Sequence, residues 1–250
     1  MVDCAVGGWL MADSNRPRYA IYYTPPQSDP LTRVAAAWLG RDAFAGAQPA
    51  ANLALTHGDP GQTSEPRRYG FHATLKAPFR LADGCTACDL EGAMTEFAQD
   101  SLKCDIGRLQ LGELDRFLAL VPINTPRDLM DLAGRVVEVF DGFRAPLDVH
   151  DLDRRNIASL DTNERAYLHA WGYPYVLERF RFHMTLTNRL DDACRASMKM
   201  TLTSRFEALL DRPYSVDALT LFEQSRPDED FVVRRRFPLG APDTSTEARP

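Results

Sequence analysis

Runs of strict apolar and polar alternation, separated by stretches of helical spacing, divide the chain into short strands and helices. Arg18-Tyr19-Ala20-Ile21-Tyr22-Tyr23-Thr24 is dense in strand formers and is stopped by Pro25-Pro26, which predicts a strand. Asp29-Pro30 opens a predicted helix through Trp38-Leu39, because Pro suits the first helical turn. Residues 45–66, heavy in Ala, Gly, Pro and Thr, read as a loop. Leu90, Met94, Phe97 and Leu102 recur at helical spacing across 87–102, as do Leu129, Leu132, Val136 and Phe140 across 126–140. Further helices are expected over 151–168, which carries Arg154-Arg155, and over 191–210. Strand-like runs at 106–111 and 116–121 form one predicted hairpin, and those at 215–222 and 231–237 form another. Residues 1–17 read as a flexible leader and 240–250 as a disordered tail, since neither carries periodic apolar positions.

Two stretches repeat one pattern. Arg68-Tyr69-Gly70-Phe71-His72-Ala73-Thr74-Leu75-Lys76 and Arg179-Phe180-Arg181-Phe182-His183-Met184-Thr185-Leu186-Thr187 each hold Phe-His-x-Thr-Leu. On an extended strand side chains alternate faces. His72, Thr74 and Lys76 are therefore expected on one side, and Arg181, His183, Thr185 and Thr187 on one side of the second copy. A single His-x-Thr on a strand is an ordinary solvated surface, Thr being a favoured strand residue. Two copies, using two of only five histidines, demand another explanation.

The surroundings repeat as well. Leu109 lies 37 residues after His72, and Leu219 lies 36 after His183. A unit of motif strand, helix and hairpin occurs twice, and such self-similarity outweighs either motif alone. It predicts an α+β, bilobal fold with two antiparallel sheets and outer helices around a central cleft, lobe 1 at 18–125 and lobe 2 at 126–239, with the two His-bearing strands facing each other.

Composition narrows the partners. A net charge of −6 opposes a grip on long nucleic acid, which rests on many Lys and Arg contacts to phosphate, but suits a small anion held by local cations. Asp3, the lack of early basic residues and the short apolar stretch broken by Gly7-Gly8 support neither a signal peptide nor a membrane span. A cytoplasmic location is expected, and the odd, scattered Cys4, Cys85, Cys88, Cys104 and Cys194 agree with reduced thiols. Cys85-x-x-Cys88 lacks the second pair that a structural zinc needs. Asp148-Val149-His150-Asp151 reads as a helix cap, and His57 and His169 as surface residues.

Paired His-x-Thr strands in a duplicated chain resemble the 2H phosphoesterase superfamily, and most of all its bacterial members encoded beside carbon-phosphorus lyase genes. Besides the two motifs, Arg18 to Tyr23, Trp38-Leu39-Gly40-Arg41-Asp42, Phe143 to Leu147 with Arg154-Arg155, and Trp171-Gly172-Tyr173-Pro174-Tyr175-Val176 carry the resemblance. It implies a metal-independent, cofactor-free cyclic phosphodiesterase of phosphonate metabolism acting on a small phosphorylated sugar or nucleotide. His72 and His183 are then the general acid and base, since His alone titrates near neutrality unaided. Thr74 and Thr185 are donors to phosphate oxygens. Lys76, Arg181 and Arg144 are candidate phosphate contacts, and Tyr22, Tyr69 and Tyr173 candidate stacking rings. Two alternatives stay open: a 2′,3′-cyclic phosphodiesterase for nucleotides or short RNA ends, and a non-catalytic module that binds a phosphate ligand.

Overall fold

Strand β1 (Arg18–Tyr23) is buried from Tyr19 onward because both of its faces are covered. Tyr19, Ile21 and Tyr23 join the main hydrophobic core, whereas Ala20 and Tyr22 join a second cluster with Ala43, Phe222 and Phe231. This period-two split makes β1 the partition between a helix-packed side and a cleft side. The structure is a computed structural model that describes residues 16–45, 59–148, 151–152 and 157–240; residues 1–15, His57, His150, Arg154-Arg155 and the segment 241–250 lie outside the described residues. Among the described residues no helix is long and apolar enough to cross a membrane.

The remaining elements are α1 (Pro30–Leu39), α2 (Pro60–Tyr69), β2 (Ala73–Phe79), α3 (Ala87–Gln99), β3 (Cys104–Leu114), β4 (Phe117–Pro122), α4 (Arg127–Val139), α5 (Thr162–Trp171), β5 (Met184–Thr185), α6 (Asp192–Leu210), β6 (Pro213–Val216), β7 (Ala218–Gln224) and β8 (Val232–Pro238). They form an α+β fold. Instead of two separate sheets, the eight strands make one antiparallel ladder in the order β6-β3-β4-β5-β2-β1-β7-β8. Its halves meet at one pair, Ala73 against Met184, between the two motif strands.

The inner six strands read β3-β4-β5 from one side and β7-β1-β2 from the other. The duplicated unit is therefore strand, helix, motif strand, helix, strand: β1-α1-β2-α3-β3, then β4-α4-β5-α6-β7. In each unit the last strand crosses to pair in the other half. The segments 18–125 and 126–239 both contribute strands to both halves, so a boundary near residue 125 does not separate them. The exchange ties the units together, as does the buried Trp38 of α1, whose Nε1 donates to the Leu186 carbonyl at 2.8 Å.

Several local expectations are corrected. Of the loop expected over 45–66, residues 46–58 lie outside the described residues and 60–66 fall in α2; Asp59 caps that helix by accepting from the Gly61 amide, with Pro60 in the first turn. The same Asp-Pro signal opens α1, but α2 buries only Thr63 and Pro66 and so lacks an apolar stripe. Arg68 and Tyr69 belong to that helix rather than to the motif strand. Of the helix expected over 151–168, residues 151–152 are helical, 153–156 lie outside the described residues and Ile157–Ser159 form a 3-10 turn; α5 starts afresh at Thr162, where Asp161 and Glu164 form a capping box. The strand over 215–222 is divided into β6 and β7, and α3 ends at Gln99, leaving Leu102 84% exposed.

Replacing Trp38 by Phe keeps the ring's packing but strands the buried Leu186 carbonyl. The expected loss in urea unfolding is about 1–3 kcal/mol; no measurable loss would show that the two units are not joined there.

Candidate active site

Ala73 and Met184 are fully buried and directly paired. In an antiparallel ladder the residues flanking such a pair project from the opposite face, with neighbouring side chains about 5 Å apart across the strands. His72 thus stands across from Thr185, and Thr74 across from His183, in a square of two imidazoles and two hydroxyls. Three members of the square, His72, Thr74 and Thr185, line a cavity of about 290 Å³ together with Tyr22, Tyr69 and Tyr173, whereas His183 is not among its wall residues.

Both imidazoles are held alike. His72 Nδ1 lies 2.8 Å from the Gly70 carbonyl and His183 Nδ1 lies 2.7 Å from the Arg181 carbonyl. A carbonyl only accepts, so each Nδ1 carries the proton and each Nε2 is left as the basic nitrogen of the neutral ring. His72 Nε2 sits 3.3 Å from Thr74 Oγ1. Gly70 is required where it is: its φ is +78° and an added Cβ would lie 2.6 Å from Ala43 Cβ.

Desolvation pushes the His72 imidazolium down to about 4, against the opposing pull of the Gly70 hydrogen bond; the charges of His183 and Arg41 add to the depression. His183 is depressed too, chiefly by desolvation, with Arg181 contributing. Both rings therefore rest neutral, and an anion entering the cavity would raise their proton affinity.

The family described as "Protein of unknown function (DUF1045)" matches residues 74–232. The chain belongs to the DUF1045 family. The match begins at Thr74 and contains the whole second motif. Two proteins named "Ribose 1,5-bisphosphate phosphokinase PhnN" are relatives of this DUF1045 chain. That of Janthinobacterium sp. (strain Marseille) is 37% identical over 89% of this chain and 51% of its own length. That of Laribacter hongkongensis (strain HLHK9) is 31% identical over 87% and 51%. The chain spans about half the length of these relatives. Among solved structures, E. coli LigT complexed with NADP+ is 16% identical over 91% of this chain and 99% of LigT, with a TM-score of 0.40. A phosphoesterase is 13% identical over 89% and 98%, with a TM-score of 0.39.

The other expected site residues of the DUF1045 chain divide. Tyr69 and Tyr173 line the cavity. Tyr22 does too, but it is 1% exposed and its ring stacks on His72 at 3.9 Å, so it backs the imidazole instead of offering a face to a base. Arg181 is exposed beside His183 and is not on the cavity wall. Lys76 is displaced. Register shifts in β2 put Tyr22 opposite Thr74 but Ile21 opposite Lys76, a bulge that inserts an extra residue and breaks the alternation. Lys76 is 3% exposed and its Nζ bonds Asp141 and the Val137 carbonyl, both at 3.1 Å. Arg144 grips the same carboxylate at 2.9 and 3.1 Å and donates to the Ala170 carbonyl. Both cations are structural.

Residues outside the motifs complete the site. Asn188 accepts from the Glu65 amide at 2.8 Å and donates to the Gly61 carbonyl and Ser64, which holds α2 over the second motif as a roof. Arg41, buried behind Gly70, pairs with Asp230 at 3.1 Å and donates to the Phe231 carbonyl. No local pattern announces either role.

Two outcomes are expected. Asp141→Ala, which leaves Lys76 buried and uncompensated, should cost about 3–5 kcal/mol, whereas Lys76→Met should be near neutral; equal, small losses in urea unfolding would contradict the placement. Because His72 is held below its ordinary 6.5 at about 4, the folded state takes up its proton later than the unfolded chain. The contribution of His72 to stability is then fully present above pH 6.5 and is lost as the pH drops from 6.5 toward 4. His72→Gln should weaken that fall in unfolding midpoints measured between about pH 7.5 and 4.5, and an unaltered slope would argue against a desolvated His72.

Proposed function

We propose that this chain is a phosphodiesterase that opens a small ribose-type cyclic phosphate of phosphonate breakdown, with His72 and His183 moving protons on opposite sides of one phosphorus. The observation that supports the reading is the single pairing of the motif strands at Ala73 and Met184, which brings the two His-x-Thr motifs side by side, with His72, Thr74 and Thr185 on the wall of one cavity. Water attacks phosphorus in line with the departing sugar oxygen. One neutral His takes the water's proton at Nε2 as the new P–O bond forms. The other, protonated as the anion binds, gives its proton to the sugar oxygen as that bond breaks. Thr74 and Thr185 donate to the non-bridging oxygens, where charge is concentrated in the transition state. Either His serves as base, according to how the ring lies.

The relatives' name concerns a pentose bisphosphate, which supports a phosphorylated sugar as the substrate class. Their kinase chemistry calls for a cradle of the type G-x-x-x-x-G-K-[ST]. Lys76, Lys103 and Lys199 follow Leu, Leu and Met, so this chain has no such sequence. Tyr69 and Tyr173 on the cavity wall favour a second reading, a nucleotide or RNA 2′,3′-cyclic end, because phenol rings of this kind stack on bases.

Phosphorus NMR in the presence of EDTA should show a ribose cyclic phosphate converting to a monoester. Either His→Ala change should slow this by about 10²–10⁴-fold, and Thr74→Val or Thr185→Val by about 30–10³-fold, from a barrier increase of about 2–4 kcal/mol. Undiminished turnover in both His variants ends the proposal. Faster opening of adenosine 2′,3′-cyclic phosphate than of the base-less sugar selects the nucleotide reading, and tight binding without turnover selects a binding module.

A further inference from the structure

A second chamber of about 520 Å³ adjoins the cavity lined by His72, Thr74 and Thr185: Tyr69, Ala77, Pro78, Tyr173 and Arg189 line both. The second chamber is lined by the guanidinium-bearing residues Arg18, Arg68 and Arg189. Its acidic wall residue, Asp151, lies 2.8 Å from Arg80, which it shares with Asp148 at 3.3 Å, so the carboxylate is partly neutralised and is outnumbered by the three arginines on the wall. Arg189 meets Asp115 only at 3.5 Å, with both side chains 67% exposed, a solvated pair that costs little to part. Arg68 donates to the Pro227 carbonyl, a neutral partner. Arg18 donates through Nε to Gln224 at 2.7 Å, and its guanidinium lies 5.4 Å over the Phe231 ring. On a chain of net charge −6, three guanidinia around one hollow are a concentration of positive charge that the rest of the composition does not predict.

We propose that this chamber is an anion subsite, and that the substrate is a cyclic phosphodiester bearing a second, terminal phosphate monoester that Arg18, Arg68 and Arg189 hold while the ring sits on the square. The inference rests on the phosphodiesterase reading and names the substrate class within it. Guanidinium groups present donors in the fork that phosphate oxygens match. A terminal phosphate fixed there anchors the sugar at a distance from the reacting phosphorus, so binding energy gained remotely orients the ring for in-line attack.

The test compares ribose 2,3-cyclic phosphate with its 5-phosphorylated form, and the 1,2-cyclic pair alongside. Wild-type protein should open the phosphorylated member of at least one pair with a kcat/KM at least about 10-fold higher, since charged hydrogen bonds contribute on that scale. Arg68→Gln should remove most of that preference, mainly through KM, and leave the unphosphorylated sugar's rate within about two-fold; Arg18→Gln serves the same purpose should Arg68→Gln not fold. Equal rates on both members, or equal losses on both in the variants, overturn the subsite while leaving the phosphodiesterase reading intact. Should the wild type open neither, that reading fails and the subsite is judged by titrating ribose 5-phosphate. Saturable binding weakened at least about 10-fold by Arg68→Gln upholds the subsite, and absent or unaffected binding overturns it.

Discussion

A single backbone pairing, Ala73 against Met184, is where the two halves of the ladder touch, and the geometry of the site descends from it. Side-chain alternation is strict only locally, so the face on which His72, Thr74, His183 and Thr185 stand is set by the burial of the two residues between them. A slip of one residue would turn both histidines into the core. Register is guarded on both flanks. On one, β4 pairs Ala119 with Thr185 and Leu120 with Met184, and Leu186 donates to the Leu118 carbonyl. On the other, β1 pairs Tyr22 with Thr74 and Tyr23 with Ala73. The exchanged strands β3 and β7 lock those flanks in turn, so each unit's motif is held partly by strands of the other.

Around this pairing the two imidazoles are held neutral. Tyr22 lies flat on His72, Phe117 approaches His183 at 5.7 Å, and α2 covers the opening. Burial of this kind disfavours the imidazolium, while backbone carbonyls at Gly70 and Arg181 fix which nitrogen carries the proton. Both rings rest neutral, and His72 Nε2 is met by the Thr74 hydroxyl at 3.3 Å; under the proposed function an incoming anion raises their proton affinity. The cations expected to meet that charge are elsewhere: Lys76 and Arg144 converge on Asp141 and fasten β2 to the helix layer. Of the arginines spread along the chain, Arg189 lines the cavity, and Arg18 and Arg68 line the chamber beside it.

Much of this was legible in the residues. The two Phe-His-x-Thr-Leu copies, the duplicated spacing and the apolar stripe of Leu129, Leu132, Val136 and Phe140, all four buried, followed from period and repetition alone. Lys76 was misplaced because alternation assumes a regular strand, and the bulge in β2 leaves no mark in the local composition. Helix α2 was hidden because a polar roof carries no hydrophobic stripe, although Asp59-Pro60 held the same start signal as Asp29-Pro30. The crossing of β3 and β7 between halves was out of reach, since strand order is decided by packing far along the chain. Asn188 and Arg41 act through backbone groups of distant segments and so have no signature of their own.

The central claim is that two separate motifs address one phosphorus. The most direct measurement is a titration of the protein with inorganic phosphate, watching the ring protons of His72 and His183 by NMR, each assigned through its Ala variant. Both signals should move together along one saturation curve, with one anion bound and both rings shifting toward the protonated form. A response confined to one histidine, or two curves with different midpoints, would contradict it.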